Sequence, residues 1–116
     1  MKRDDDYIRQ MLLDVEASDE LYFIASAYMN MTPEDQKLHQ HAELLCDAGF
    51  FEAVNEGVYR MTNHGHDYLA VIRSDSAWGQ TKKGVAKIGG ASLGIMKEIA
   101  IAYVKQEASE KLGIDL

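Results

Sequence analysis

Residues 32–62 read TPEDQKLHQHAELLCDAGFFEAVNEGVYRMT, and the way this stretch folds decides the architecture of the chain. Thr32-Pro33-Glu34-Asp35 is a helix-start signal: Thr supplies the N-cap oxygen, Pro suits the first helical position, and the acid three residues after the cap completes a capping-box-like pattern. The helix is predicted to run to Ala48, with Leu38, His41 or Ala42, and Leu45 turned inward. Gly49 ends it, because the left-handed residue after a helix is easiest for glycine. FFEAV and VYRMT follow on either side of Asn55-Glu56-Gly57, which predicts a tight two-stranded hairpin.

On the N-terminal side, Ile8, Met11, Leu12 and Val15 fall at i, i+3, i+4 and i+7, one face of a helix that Asp4, Asp5 and Asp6 introduce. The connection DELYFIASAYMNM permits a short strand, while Ala25 to Met29 could equally begin a helix. On the C-terminal side, Thr62 is placed to cap NHGHDYLAVIR, with His66, Leu69 and Ile72 or Arg73 sharing a side. A further helix is predicted over Ala77–Ile88, broken at Gly89-Gly90. Ser92 caps a last one with Leu93, Met96, Ile99, Ala100 and Tyr103 on one face. The fold class is α+β, mainly α. Helix, connection, helix, hairpin, helix is the order of a winged helix-turn-helix domain. It is expected over residues 1–74 of a single domain, with residues 75–116 as a C-terminal helical extension.

Four histidines and Cys46 raise the question of a metal centre. Side chains two apart on a helix point about 200° away from each other, so His39 and His41 cannot share an ion there. Neither HxxxH nor CxxC occurs, and no metal or cofactor is expected. His41 and His66 are read as structural, His66 as a partly buried donor bridging helix to hairpin; Gly49, Gly65 and Trp78 are read as structural too. Cys46 lacks the basic surroundings that activate a thiol, and no nucleophile stands beside a base, so an enzyme is not expected.

The chain has 116 residues and a net charge of −7. Residues 1–62 hold 13 acids against 5 bases and residues 63–116 hold 6 against 7, so the acidity is localised. No apolar run approaches the roughly 20 residues that cross a bilayer, no signal-like start is present, and the lone cysteine suits a reducing compartment. A cytoplasmic location without membrane contact is the expectation.

MKRD at the start, His41 ahead of LL and AG, Gly65-His66, Ile72-Arg73, Trp78 and Gly89-Gly90 occur in the order of a known family, and nearly the whole chain resembles it. That family is domain of unknown function 2513, frequent in prophages. Departures are Tyr68, where Phe is expected, and Ala70, where an acid is usual. The resemblance implies a winged-helix core, a phage or mobile-element setting and no assigned activity.

Duplex binding needs Lys and Arg to neutralise phosphates. The helix from Pro33 to Ala48 has Glu34, Asp35, Glu43 and Asp47 against Lys37 alone, and the hairpin tip carries Glu56. These five acids are the candidate surface for a host intracellular protein, in the manner of an inhibitor or anti-defence protein. Any of Tyr22, Phe23, Tyr28 and Met29 left exposed would add hold. The alternative is a DNA-binding regulator that uses Gln36, Lys37, His39, Gln40 and Arg60, with Lys83 and Lys87 on the backbone. Residues 92–111 could pair two copies into a homodimer.

Overall fold

The computed structural model describes residues 1–115. They form α1 (Asp5–Ala17), β1 (Phe23–Ile24), α2 (Pro33–Asp47), β2 (Phe51–Asn55), β3 (Val58–Met61), α3 (Asn63–Ile72), α4 (Asp75–Lys87) and α5 (Leu93–Leu112). The fold is α+β and mainly α. Two compact units make up the chain, residues 1–69 and residues 70–116, with the division inside α3.

The first unit grows from the caps that the sequence announces. Asp4 caps α1 by accepting from the Tyr7 N–H, and Thr32 caps α2 by accepting from the Asp35 N–H at 3.1 Å. At the end of α2 the Phe50 N–H reaches the Leu45 carbonyl at 2.9 Å and the Gly49 N–H the Cys46 carbonyl at 3.0 Å. This is a Schellman closure around Gly49, whose φ of +81° is the conformation a side chain would oppose. The closure delivers Phe50 and Phe51, both buried, straight into the core.

β2 and β3 form the expected hairpin, turning at Glu56-Gly57 with an irregular register between Ala53 and Asn55. The ribbon is not two-stranded, however. Phe23 pairs with Tyr59 and Ile24 with Val58, so β1 joins as a third antiparallel strand in the order β1-β3-β2. Of the two conformations open to residues 20–31, the strand wins because Phe23 packs on Phe51, ring centroids 5.7 Å apart, and the Ala25 N–H bonds the Gly57 carbonyl at 2.9 Å. Ile8, Met11, Leu12, Ala42, Leu45, Tyr59, Tyr68 and Leu69 complete this core. Each large apolar side chain fully buried here contributes about 1.5–3 kcal/mol.

The start of α3 is tied to the end of α2. The Thr62 hydroxyl donates to the Gly49 carbonyl at 2.5 Å and accepts from the Gly65 N–H at 3.1 Å. A Cβ at Gly65 would stand 2.3 Å from the Phe50 carbonyl oxygen, so only glycine permits this approach. Leu69 and Ile72 are buried as expected, but Gly65 and Tyr68 are the residues buried with them in α3, not His66. His66 is exposed and bridges nothing to the hairpin.

In the second unit α4 begins at Asp75, earlier than the expected Ala77, because Ser74 caps it by accepting from the Ala77 N–H. Gly89 and Gly90 close α4 through bonds to the Ala86 and Val85 carbonyls, and Ser92 caps α5. Trp78, Thr81, Leu93, Met96 and Ala100 are buried where α4 meets α5. Gly84 lets the two helices close, since its Cβ would already touch Ile99 at 3.0 Å.

Candidate interaction surface

The two histidines of α2 are both hydrogen-bonded within the protein. The His41 Nδ1–H donates to the Lys37 carbonyl at 2.8 Å, and its Nε2 accepts from the Asp4 N–H at 3.0 Å. Both ring nitrogens are thus used inside the protein, on a side chain with no exposure. Tyr7 meets the same ring edge-on at 5.0 Å. The Lys37 ammonium pairs with the Asp4 carboxylate at 2.9 Å and lies 4.5 Å above the Tyr7 ring. The Lys37 hydrogen bond, followed by the Tyr7 N–H, holds the Asp4 carboxyl below the usual carboxylate range. Asp4, Tyr7, Lys37 and His41 therefore tie the start of α1 to α2, and Asp4 and His41 stand in two of the blocks that carry the family resemblance.

The outward side of α2 is the stripe Gln36, Gln40, Glu43 and Asp47, spaced at i, i+4, i+7 and i+11. Its N-terminal half offers two amides and its C-terminal half two acids. Glu43 also receives the hydroxyl of the buried Tyr59; burial and that carboxylate push the Tyr59 phenol well above its ordinary pKa. Asp35 receives the Tyr28 hydroxyl. Glu34 and Asp47 are exposed on α2, and Glu56 is exposed at the hairpin tip. The five acids thus lie in the first unit, four of them exposed and Asp35 half-buried, with Asp35 and Glu43 each accepting a tyrosine hydroxyl.

The residues of the DNA alternative fare differently one by one. Gln36 and Gln40 face solvent. The His39 Nδ1 is bonded to the Ala25 carbonyl at 2.7 Å, which turns that edge of the ring away from any outside contact. Lys37 is spent on Asp4 and Tyr7, and Arg60 pairs with Glu52 at 2.8 Å. Lys83 and Lys87 are exposed on α4, where neighbouring Lys82 lies 5.6 Å from the Trp78 ring centre.

Burial raises the pKa of the Cys46 thiol, and Glu43 and Asp47 add to the effect, which is the opposite of an activated nucleophile. Among the described residues no three His, Cys, Asp or Glu side chains stand together in a way that would hold a metal. Nor is any helix among them long and apolar enough to cross a membrane.

One feature lies outside what spacing could show. A cleft of about 230 Å³ opens between the end of α1 and β1, lined by Asp14, Val15, Ser18, Glu20, Tyr22 and Phe23. Beside it Leu21, Tyr22, Ile24, Tyr28 and Met29 are exposed at 78, 47, 67, 52 and 88%. The apolar residues of 20–31 were legible in the sequence; that they stay outside was not.

No curated protein and no solved structure matches the chain at a significant level. The family model described as "Hypothetical protein (DUF2513)" matches residues 2–92, a span that takes in α1 through α4 and stops at the cap of α5. With most of its length matched, the chain belongs to that family.

Proposed function

We propose that this is a non-enzymatic binding protein of winged-helix type that engages a basic protein partner through the acidic surface of residues 1–69. The observation that carries the reading is the fate of the cations around α2 and the hairpin. Lys37 and Arg60, the bases that α2 and the hairpin carry, are both paired with carboxylates of the same chain, so these elements present Gln36, Gln40, Glu43, Asp47 and Glu56 outward, with the exposed Lys2 beside Gln36 and Gln40 as a cation against that acidity. A phosphate backbone approaching them meets net repulsion, whereas a basic protein surface gains association rate from steering.

The winged-helix part of the proposal rests on β1 adding to the hairpin sheet and on α2 preceding it. Residues 18–32 separate α1 from α2 and carry β1, where a DNA-reading helix-turn-helix joins its helices through a turn of about 3–4 residues. That spacing weighs further against the DNA alternative. A phage or prophage setting, with a host protein as the target, accords with the family resemblance and belongs to the same proposal.

Affinity capture from host lysate, with nuclease added, tests it. The expected result is a stoichiometric protein retained after nuclease treatment and lost when Glu34, Asp47 and Glu56 are changed to Lys. Retention that depends on nucleic acid, together with protection of an inverted repeat near the chain's own promoter, would replace the reading with a transcription regulator.

A further inference from the structure

We propose that the open edge of β1 and the cleft beside it are the docking site for an extended segment of the partner protein, one that carries an apolar side chain between lysines or arginines. This rests on the reading of the chain as a binder of basic proteins, but it moves the contact from α2 to residues 14–29.

The geometry comes first. β1 has a neighbour on one side only, since the sheet order is β1-β3-β2. Ala25 donates its N–H to Gly57 and Phe23 sits opposite Tyr59, so it is the odd-numbered residues whose N–H groups face β3. By antiparallel alternation the N–H and C=O of Ile24 point away from β3, towards the open edge. Edges of this kind take an added strand, with main-chain bonds giving affinity and side-chain pockets giving selectivity. Here the pocket is the cleft of about 230 Å³ between α1 and β1, room for one apolar side chain. Tyr22 forms one wall while remaining 47% exposed, a placement typical of an aromatic anchor awaiting a partner.

Charge then selects the occupant. Between Arg9 and Lys37 the chain contains no Lys or Arg, and it contains Asp14, Glu16, Asp19, Glu20, Glu34 and Asp35. Asp14 and Glu20 line the cleft itself. A second copy of the chain would bring the same acids against these. Nucleic acid and anionic lipid would be repelled likewise. A segment with basic flanks gains at both ends while its apolar centre covers Tyr22 and Ile24.

The test is an amide-resolved NMR titration of the labelled full chain at about 50 mM salt, where exposed charges are incompletely screened. Two synthetic peptides share the apolar centre Val-Leu-Phe-Val, one flanked by lysines and the other by glutamates. The Lys-flanked peptide is expected to shift the amides of residues 14–24 saturably, and the Glu-flanked peptide to bind at least about tenfold more weakly. Changing Asp14 and Glu20 together to Lys, or Tyr22 to Ser, should abolish the shifts while the remaining amide spectrum stays folded. Equal response to both peptides, or no response at millimolar peptide, would overturn the docking site. Shifts confined to Gln36, Gln40, Glu43 and Asp47 would overturn it too, yet leave the protein-binding reading standing. Concentration-dependent shifts at residues 21–29 without peptide would assign the edge to a second copy instead. Tight binding of duplex DNA would remove both proposals together.

Discussion

His41 shows how much a single buried polar residue can organise. Its ring links the Lys37 carbonyl of α2 to the Asp4 N–H that precedes α1. Removing the ring takes its partner from the Asp4 N–H, while the Lys37 carbonyl keeps its bond within α2, and one orphaned buried group costs about 1–3 kcal/mol. His41→Ala is accordingly expected to lower the stability measured by urea unfolding by more than about 2 kcal/mol once the lost packing is included. His66→Gln, on an exposed side chain, should stay within about 0.5 kcal/mol of wild type. The sequence made these two histidines look alike. What separated them is which side of α3 meets the core, and that is set by Gly65 passing the Phe50 carbonyl, a contact that no periodicity encodes.

Asp4 adds a dependence on pH. Its folded pKa is depressed, so its contribution is fully present above the ordinary carboxylate value near 3.9 and is lost as pH falls through the folded value. Because both side chains of the Asp4–Lys37 pair are about two-fifths exposed, solvent screening keeps the effect below about 1 kcal/mol. Asp4→Asn retains the helix cap and removes the charge. Unfolding curves between pH 5 and about 2.5 should therefore fall less steeply for the variant than for wild type. Tyr68 points the other way: its hydroxyl is buried without a hydrogen-bond partner, and its ring stacks on Phe50 at 4.9 Å. Tyr68→Phe keeps the stack and removes the orphan, so thermal unfolding should show stability unchanged or raised by up to about 1–2 kcal/mol. Phe is also the residue that the family resemblance led one to expect at this position.

At the scale of elements, the caps and stops were legible because they are local. Asp4, Thr32 and Ser92 each accept from an N–H three residues on, and Gly49 and Gly89 stand just past helix ends with positive φ; Ser74 caps α4 in the same way, although that helix was expected to begin only at Ala77. β1 was not legible. Two residues carry no period, and their pairing depends on β3, more than thirty positions away. Glycines inside helices separate the local from the non-local most sharply. Gly79 has nothing within 4 Å of where a Cβ would stand, so Gly79→Ala should stabilise the protein by about 0.4–1 kcal/mol through helix propensity. Gly65→Ala would force its Cβ against backbone and should cost about 3 kcal/mol or more. The same urea titration reads both, and similar values for the two would contradict the packing of α3 described above.

For the whole molecule, the charge balance is the property that travels furthest from sequence to function. Composition alone showed an acidic N-terminal part, and the bases that α2 and the hairpin carry, Lys37 and Arg60, prove to be paired with Asp4 and Glu52. The candidate DNA-reading residues were legible by type, but their availability was not, since an ion pair between residues 33 positions apart leaves no trace in spacing. The outward acids were legible as acids; the apolar edge at residues 21–29 required the fold to show that it stays uncovered.

The most direct measurement is fluorescence anisotropy of a labelled random-sequence duplex titrated with the full chain at two salt concentrations, about 50 and 200 mM. Like-charge repulsion predicts no saturable binding at either. Nanomolar binding that collapses at the higher salt, and weakens further when Lys37 or Gln40 is changed to Ala, would contradict the account.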